Sequence, residues 1–95
     1  MKMKRLLLLL LLLSHSALAN CWDSAGQRYH VDPYLLFAIA NVESGMNPYA
    51  VGWNHDGTRD VGLMQINSIH FAELQRAGID EYRLIAEPCT SIMVG

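Results

Sequence analysis

Glu43 is the only carboxylate in the run Leu36-Phe37-Ala38-Ile39-Ala40-Asn41-Val42-Glu43-Ser44-Gly45-Met46-Asn47-Pro48. A carboxyl group among apolar neighbours is poorly solvated when charged, so it holds its proton to higher pH and can act as a general acid. Further along, Val61-Gly62-Leu63-Met64-Gln65-Ile66-Asn67 is an apolar stretch broken by two amides. Gln65 offers a donor and an acceptor, which suits the amides and hydroxyls of an acetylated sugar. Met64 supplies an adaptable apolar surface for a sugar ring, and Gly62 lets the backbone approach another group closely. Each residue also has a plainer use. Glu43 can be a solvated glutamate at a helix end, Leu63 and Ile66 core residues, and Gln65 and Asn67 partners for backbone groups.

The elements that must position these groups follow from local signals. Asp32 suits an N-cap, and Pro33 the first helical position, where its missing N–H costs nothing. Leu35, Leu36, Ile39, Ala40 and Glu43 recur at helical spacing, Gly45 stops the helix and Asn47-Pro48 turns the chain away. Ala40 and Ile39 lie three and four residues before Glu43, so the carboxylate is predicted to share their face and point into a partly dry crevice. Segment 49–67 holds Gly52, Gly57 and Gly62 with Asn54, His55, Asp56, Arg59 and Asp60 between them, which predicts turns or a small hairpin. A short helix is expected over 21–29, and another from about Ile69, with Ser68 as its cap and Gly78 as its stop. Pro88 opens a last helix with Cys89, Ile92 and Met93 inward. No repeat, low-complexity tract or linker follows residue 20, so the expectation is one mainly helical domain.

The first 19 residues read differently. Lys2, Lys4 and Arg5 precede the apolar core Leu6 through Leu13, and Ala17-Leu18-Ala19 has the small-x-small pattern of a signal peptidase site. The run is too short for a permanent membrane anchor. Residues 1–19 are therefore expected to be a cleaved signal peptide and 20–95 the working domain. After cleavage nine acids stand against Arg28, Arg59, Arg76 and Arg83, which moves the formal charge from −2 to −5. That balance argues against nucleic acid as a partner and favours a neutral or polar ligand held at short range. Export to an oxidising compartment lets Cys21 and Cys89, the only two cysteines, pair. Closing so long a loop stabilises a small domain by roughly 4 kcal/mol in the chain-entropy account. His30, His55 and His70 show no metal-ligand spacing with the cysteines or one another and read as loop and surface residues, so neither a metal nor a cofactor is expected.

Taken together, Glu43-Ser44-Gly45 at the end of an apolar helix, Asn47-Pro48-x-Ala50-x-Gly52, and Gly62-Leu63-Met64-Gln65-Ile66-Asn67 resemble the soluble lytic transglycosylase family. The resemblance covers nearly all of 20–95 and is greatest to the small secreted members that accompany type III and type IV secretion systems and pili. It implies a lysozyme-like, goose-type fold and cleavage of peptidoglycan between N-acetylmuramic acid and N-acetylglucosamine, leaving a 1,6-anhydro ring. The residue matching Glu43 would be acid and then base, with the muramyl acetamido group replacing a second carboxylate. Ser44 would orient Glu43 or that acetamido group, local capping being an equal account of it. Met64, Gln65 and Asn67 would contact the sugar. The implied partners are peptidoglycan strands and components of a secretion system or pilus, and the implied compartment is the periplasm.

The family continues past the segment matching Cys89-Thr90-Ser91-Ile92 to an Ala-Tyr-Asn-x-Gly motif, whereas this sequence stops at Gly95. The expectation is a catalytic domain incomplete at its C-terminus, with Glu43 more hydrated than in a full cleft. Two other functions remain open. One is a hydrolytic, lysozyme-type muramidase with Asp56 or Asp60 as second carboxylate; the other is a non-catalytic wall-binding accessory of a secretion complex.

Overall fold

The computed structural model describes residues 20–95; the expected signal peptide lies outside them. Residues 20–29 are helical (α1), followed by α2 over Pro33–Ser44. Three short strands come next, β1 Val51–Trp53, β2 Arg59–Val61 and β3 Ile66–Asn67. A 3₁₀ turn, Ser68–His70, runs into α3 Phe71–Arg76, and α4 Glu81–Ala86 and α5 Pro88–Val94 complete the order. The class is mainly α, as expected.

The capping chemistry of α2 works as its sequence dictates. Asp32 accepts a hydrogen bond from the Tyr34 N–H, Pro33 opens the helix, and Gly45 ends it in the left-handed region at φ 64°. Its inward stripe is Leu36 and Ala40, both buried, while Leu35 and Ile39 are exposed. Glu43 is exposed as well, contrary to the predicted dry crevice. Its heading on the helix is nearly that of Leu36, seven residues earlier. The packing that buries Leu36 and Ala40 nevertheless leaves Glu43 exposed. Val42, in the same turn, is 83% exposed.

The middle segment forms a three-stranded antiparallel sheet in the order β1-β2-β3, with Val51 opposite Val61, Trp53 opposite Arg59 and Val61 opposite Ile66. Val61 and Ile66 share the inward face and are buried with Leu63, Met64, Leu84 and Ile92. The cap of the following 3₁₀ turn is Asn67, whose side chain accepts from the Ile69 N–H, and not Ser68 as expected. Ser68 instead accepts from the Arg59 N–H at 3.1 Å and so braces β2. Asp80 caps α4 through the Arg83 N–H, and Leu84 is that helix's buried anchor. This helix is absent from the sequence-based expectation.

Two features hold the sheet against the C-terminal helices. Gly62 has φ 80°, and a Cβ built there would stand 2.5 Å from the Leu84 carbonyl oxygen, so only glycine permits this approach. Ser91 is fully buried on α5 and its hydroxyl oxygen accepts from the Met64 N–H at 3.0 Å. The Cys21–Cys89 disulfide, with a Cα–Cα distance of 5.5 Å, ties α1 to α5 as the cysteine count predicts.

Candidate active site

Glu43 and Ser44 form the last residues of α2, and the helix stop at Gly45 sets where they emerge. The Ser44 hydroxyl lies 2.6 Å from the Leu63 carbonyl and 3.0 Å from that of Ala40. One hydroxyl hydrogen serves both acceptors, and the shorter contact couples the end of α2 to the segment that carries Met64 and Gln65. Ser44 is thus a strut between the helix and the turn after β2, its hydroxyl engaged within the fold.

The segment after Gly62 is a tight turn. The Gln65 N–H donates to the Gly62 carbonyl at 3.1 Å, and Gln65 itself has φ 54°, a conformation uncommon for a side-chain-bearing residue. Its side-chain NH₂ donates to the carbonyls of Ala50 at 3.1 Å and Gly62 at 3.0 Å, which fixes the turn against the start of β1. Asn67 is equally committed, because its NH₂ donates to Asp60 at 2.9 Å and Thr58 at 3.3 Å. Met64 is 6% exposed. The residues expected to contact sugar are therefore already engaged in the fold, as one of the two sequence readings of Gln65 and Asn67 anticipated.

Met64, Gln65 and Asn67 nevertheless meet at one open groove of about 470 Å³, joined there by His70, Glu73 and the C-terminal residues of α5. Glu43 and Ser44 do not line it. The structure thus brings three of the five expected site residues together; of the other two, Ser44 is bonded to Leu63, the neighbour of Met64, and Glu43 is exposed at the end of α2. His70 and Glu73 lie three apart on adjoining helical turns, and their spacing is the signal that would have placed them on one face. His70 is exposed, as the sequence reading expects, and lines the groove from the surface.

The two aspartates considered as a second carboxylate are occupied. Asp60 accepts from Asn54 and Asn67, and Asp56 from the backbone and hydroxyl of Thr58. The Thr58 hydroxyl, and then its N–H, hold the Asp56 carboxyl below the ordinary aspartate value. Beside this loop, Arg59 donates to both carboxylate oxygens of Glu81 at 2.7 Å and sits 5.1 Å from the Phe71 ring centre and 5.8 Å from that of Trp53. Among the described residues no group of three or more His, Cys, Asp or Glu is placed to hold a metal ion, and no helix is long and apolar enough to cross a membrane.

Comparison with known proteins agrees with this architecture. Residues 20–95 match the family described as Transglycosylase SLT domain. Invasion protein IagB of Salmonella typhimurium (strain SL1344) is 47% identical over 85 residues, covering 90% of this chain and 53% of the relative. Protein IpgF of Shigella flexneri is 46% identical over 85 residues, covering 90% of this chain and 56% of the relative. X polypeptide of Escherichia coli is 44% identical over 77 residues, covering 81% of this chain and 46% of the relative. The chain spans about half the length of the curated relatives it matches. With a mainly helical fold of the lysozyme-like class, it belongs to the Transglycosylase SLT domain family, the family of lytic transglycosylases.

Proposed function

We propose that this chain carries the acid–base and sugar-positioning elements of a peptidoglycan lytic transglycosylase, acting on the β-1,4 bond between N-acetylmuramic acid and N-acetylglucosamine. The observation that carries this reading is the Ser44–Leu63 hydrogen bond, which fixes the residue next to Glu43 against the residue next to Met64. In the reaction, Glu43 gives its proton to the glycosidic oxygen as the bond to C1 breaks. The muramyl acetamido oxygen stabilises C1. The C6 hydroxyl then closes on C1 and its proton returns to Glu43, so that no water is consumed and a 1,6-anhydro ring results. Because Glu43 is exposed in the free chain, the bound glycan itself must supply much of the exclusion of water around it.

The hydrolytic alternative loses ground because Asp56 and Asp60 are held by Thr58, Asn54 and Asn67. A non-catalytic wall-binding role is favoured by one observation, that Glu43 stands outside the groove formed by Met64, Gln65 and Asn67. Export through a signal peptide at 1–19 to the periplasm is supported by the leader's residue pattern and by the Cys21–Cys89 disulfide. A role in opening the wall locally for a secretion system or pilus is supported by the likeness to Invasion protein IagB.

The test is digestion of purified peptidoglycan by the full chain and by Glu43→Gln, with products read by mass spectrometry and binding read by sedimentation with the sacculus. The expected product is lighter by one water than the hydrolysed fragment, formed by the wild type alone, with binding equal in both. Turnover by Glu43→Gln removes that residue from the chemistry. A hydrated product selects the muramidase, and equal binding without turnover by either protein selects the wall-binding role.

A further inference from the structure

Trp53 stands at the open end of a stack of charged and aromatic groups. Residues opposite one another in an antiparallel pair point the same way, so Val51, Trp53, Arg59, Val61 and Ile66 share one face of the sheet. Val61 and Ile66 are buried on that face, but burial runs out at β1, where Val51 is exposed and Trp53 is 75% exposed. The indole is nonetheless held. Both carboxylate oxygens of Glu81 fix the Arg59 guanidinium, which lies against the Phe71 ring and the Trp53 ring together. None of these residues lines the groove beside Met64, and Asn67, paired with Asp60, belongs to the opposite face of the sheet.

The backbone beside the indole is open too. The Gly62 N–H donates to the Ala50 carbonyl and the Asn54 N–H to that of Thr58, so in this register Ala50, Gly52 and Asn54 turn their polar groups towards β2. Val51 and Trp53 turn theirs away, and among the described residues β1 is an outer strand of the sheet. A fixed ring therefore adjoins outward backbone donors and acceptors.

A pyranose ring has the matching chemistry. One of its faces is a patch of C–H bonds, and in an N-acetylated sugar the acetamido group supplies a donor and an acceptor. We propose that Trp53 and the outer edge of β1 form an accessory subsite for an N-acetylated sugar of the glycan, its ring stacked on the indole and its acetamido group on the β1 backbone. The proposal rests on the reading of the chain as a peptidoglycan-acting protein. An indole already held in place loses little freedom when a ligand covers it. An edge of three residues gives a peptide strand only a short ladder, whereas one sugar ring needs no more than this.

The test uses the chain's two tryptophans, of which Trp22 is buried, so acrylamide quenching of the accessible fluorophore reports on Trp53 in the unaltered protein. The full chain is titrated with the N-acetylglucosamine hexamer and with the β-linked glucose hexamer at several protein concentrations, and sedimentation with sacculi is run in parallel. The N-acetylglucosamine hexamer should shield Trp53 more than the glucose hexamer does, and the change should vanish in Trp53→Phe, which assigns the signal. Trp53→Ala should bind the first hexamer about two- to tenfold more weakly, the size of one aromatic contact. Absence of shielding in a chain that sediments with sacculi, equal shielding by the two hexamers, or equal affinity of wild type and Trp53→Ala overturns the subsite and leaves wall binding standing. Shielding that grows with protein concentration before sugar is added assigns this face to a second copy of the chain and overturns it as well. A chain that neither sediments with sacculi nor binds either hexamer overturns the subsite together with the proposed substrate.

Discussion

Replacing Gly62 with alanine isolates the contact between the turn before Met64 and α4. At φ 80° an alanine pays the left-handed backbone penalty, about 1–2 kcal/mol. Its Cβ would also stand 2.5 Å from the Leu84 carbonyl oxygen and 3.3 Å from the Ser91 hydroxyl. The first of these is backbone, which cannot rotate away, so the turn or α4 must shift; overpacking of this kind costs about 1–3 kcal/mol more. Gly57 is the internal control. It has φ 86° with nothing within 4 Å of a built Cβ, so Gly57→Ala should carry the backbone penalty alone. Urea unfolding with the disulfide intact should place Gly62→Ala below Gly57→Ala by about 1–3 kcal/mol, or several degrees in melting temperature at this size. The shift should also loosen the Met64 N–H bond to Ser91, visible as faster hydrogen exchange at Met64 and not at residues of the Gly57 loop. Equal losses of stability in the two variants, or an unchanged exchange rate at Met64, would refute the idea that close approach demands glycine here.

Cys21→Ser should lower the midpoint of unfolding in oxidising buffer and match the wild type in strong reductant, with a difference of roughly 4 kcal/mol as the entropic upper figure for a separation of 68 residues; equal midpoints in oxidising buffer would contradict a stabilising bridge. The hydrogen bond from Arg59, followed by its charge, holds Glu81 below the ordinary glutamate value of 4.5. A depressed folded value means stability that is present above 4.5 and lost as pH falls through the lower folded value. The stability gap between wild type and Glu81→Gln should therefore be full at pH 7 and shrink below 4.5, and a gap independent of pH would contradict the pairing. Ser44→Ala should cost about 1 kcal/mol of stability by loss of one half-buried hydrogen bond. If Ser44 positions Glu43, the same change should lower kcat more than it raises KM, and the reverse split would make Ser44 a substrate contact.

The parts of the fold legible in the sequence were those with complete local punctuation. Asp32, Pro33 and Gly45 bracket α2, the glycines of 49–67 announce turns, and two cysteines leave one pairing. Helix α4 escaped because six residues are too few to display a period and only Leu84 among them is buried. The Ser68 cap was misplaced by one residue since Asn67 and Ser68 are both good caps, and the sheet decided between them by giving Ser68 to Arg59. Met64, Gln65 and Asn67, singled out by residue type, line one groove. Helical spacing put Glu43 on the face of Ile39 and Ala40, but whether a face is sheltered depends on a neighbouring element, which spacing along one helix does not encode, and Glu43 is exposed. His70 and Glu73 reach the groove only because the 3₁₀ turn feeds directly into α3.

The bond between Cys21 and Cys89 bears on the order in which the molecule becomes itself. One sulfur belongs to α1 and its mate to α5, so a chain leaving a ribosome or a translocation channel from its N-terminus presents the first thiol long before the second. Until Cys89 appears, any early association of α1 with α2 and the sheet stays unlocked and free to come apart. Oxidation then acts as a latch that must wait for Cys89, and it seals an arrangement that the residues between the two cysteines have already had time to try.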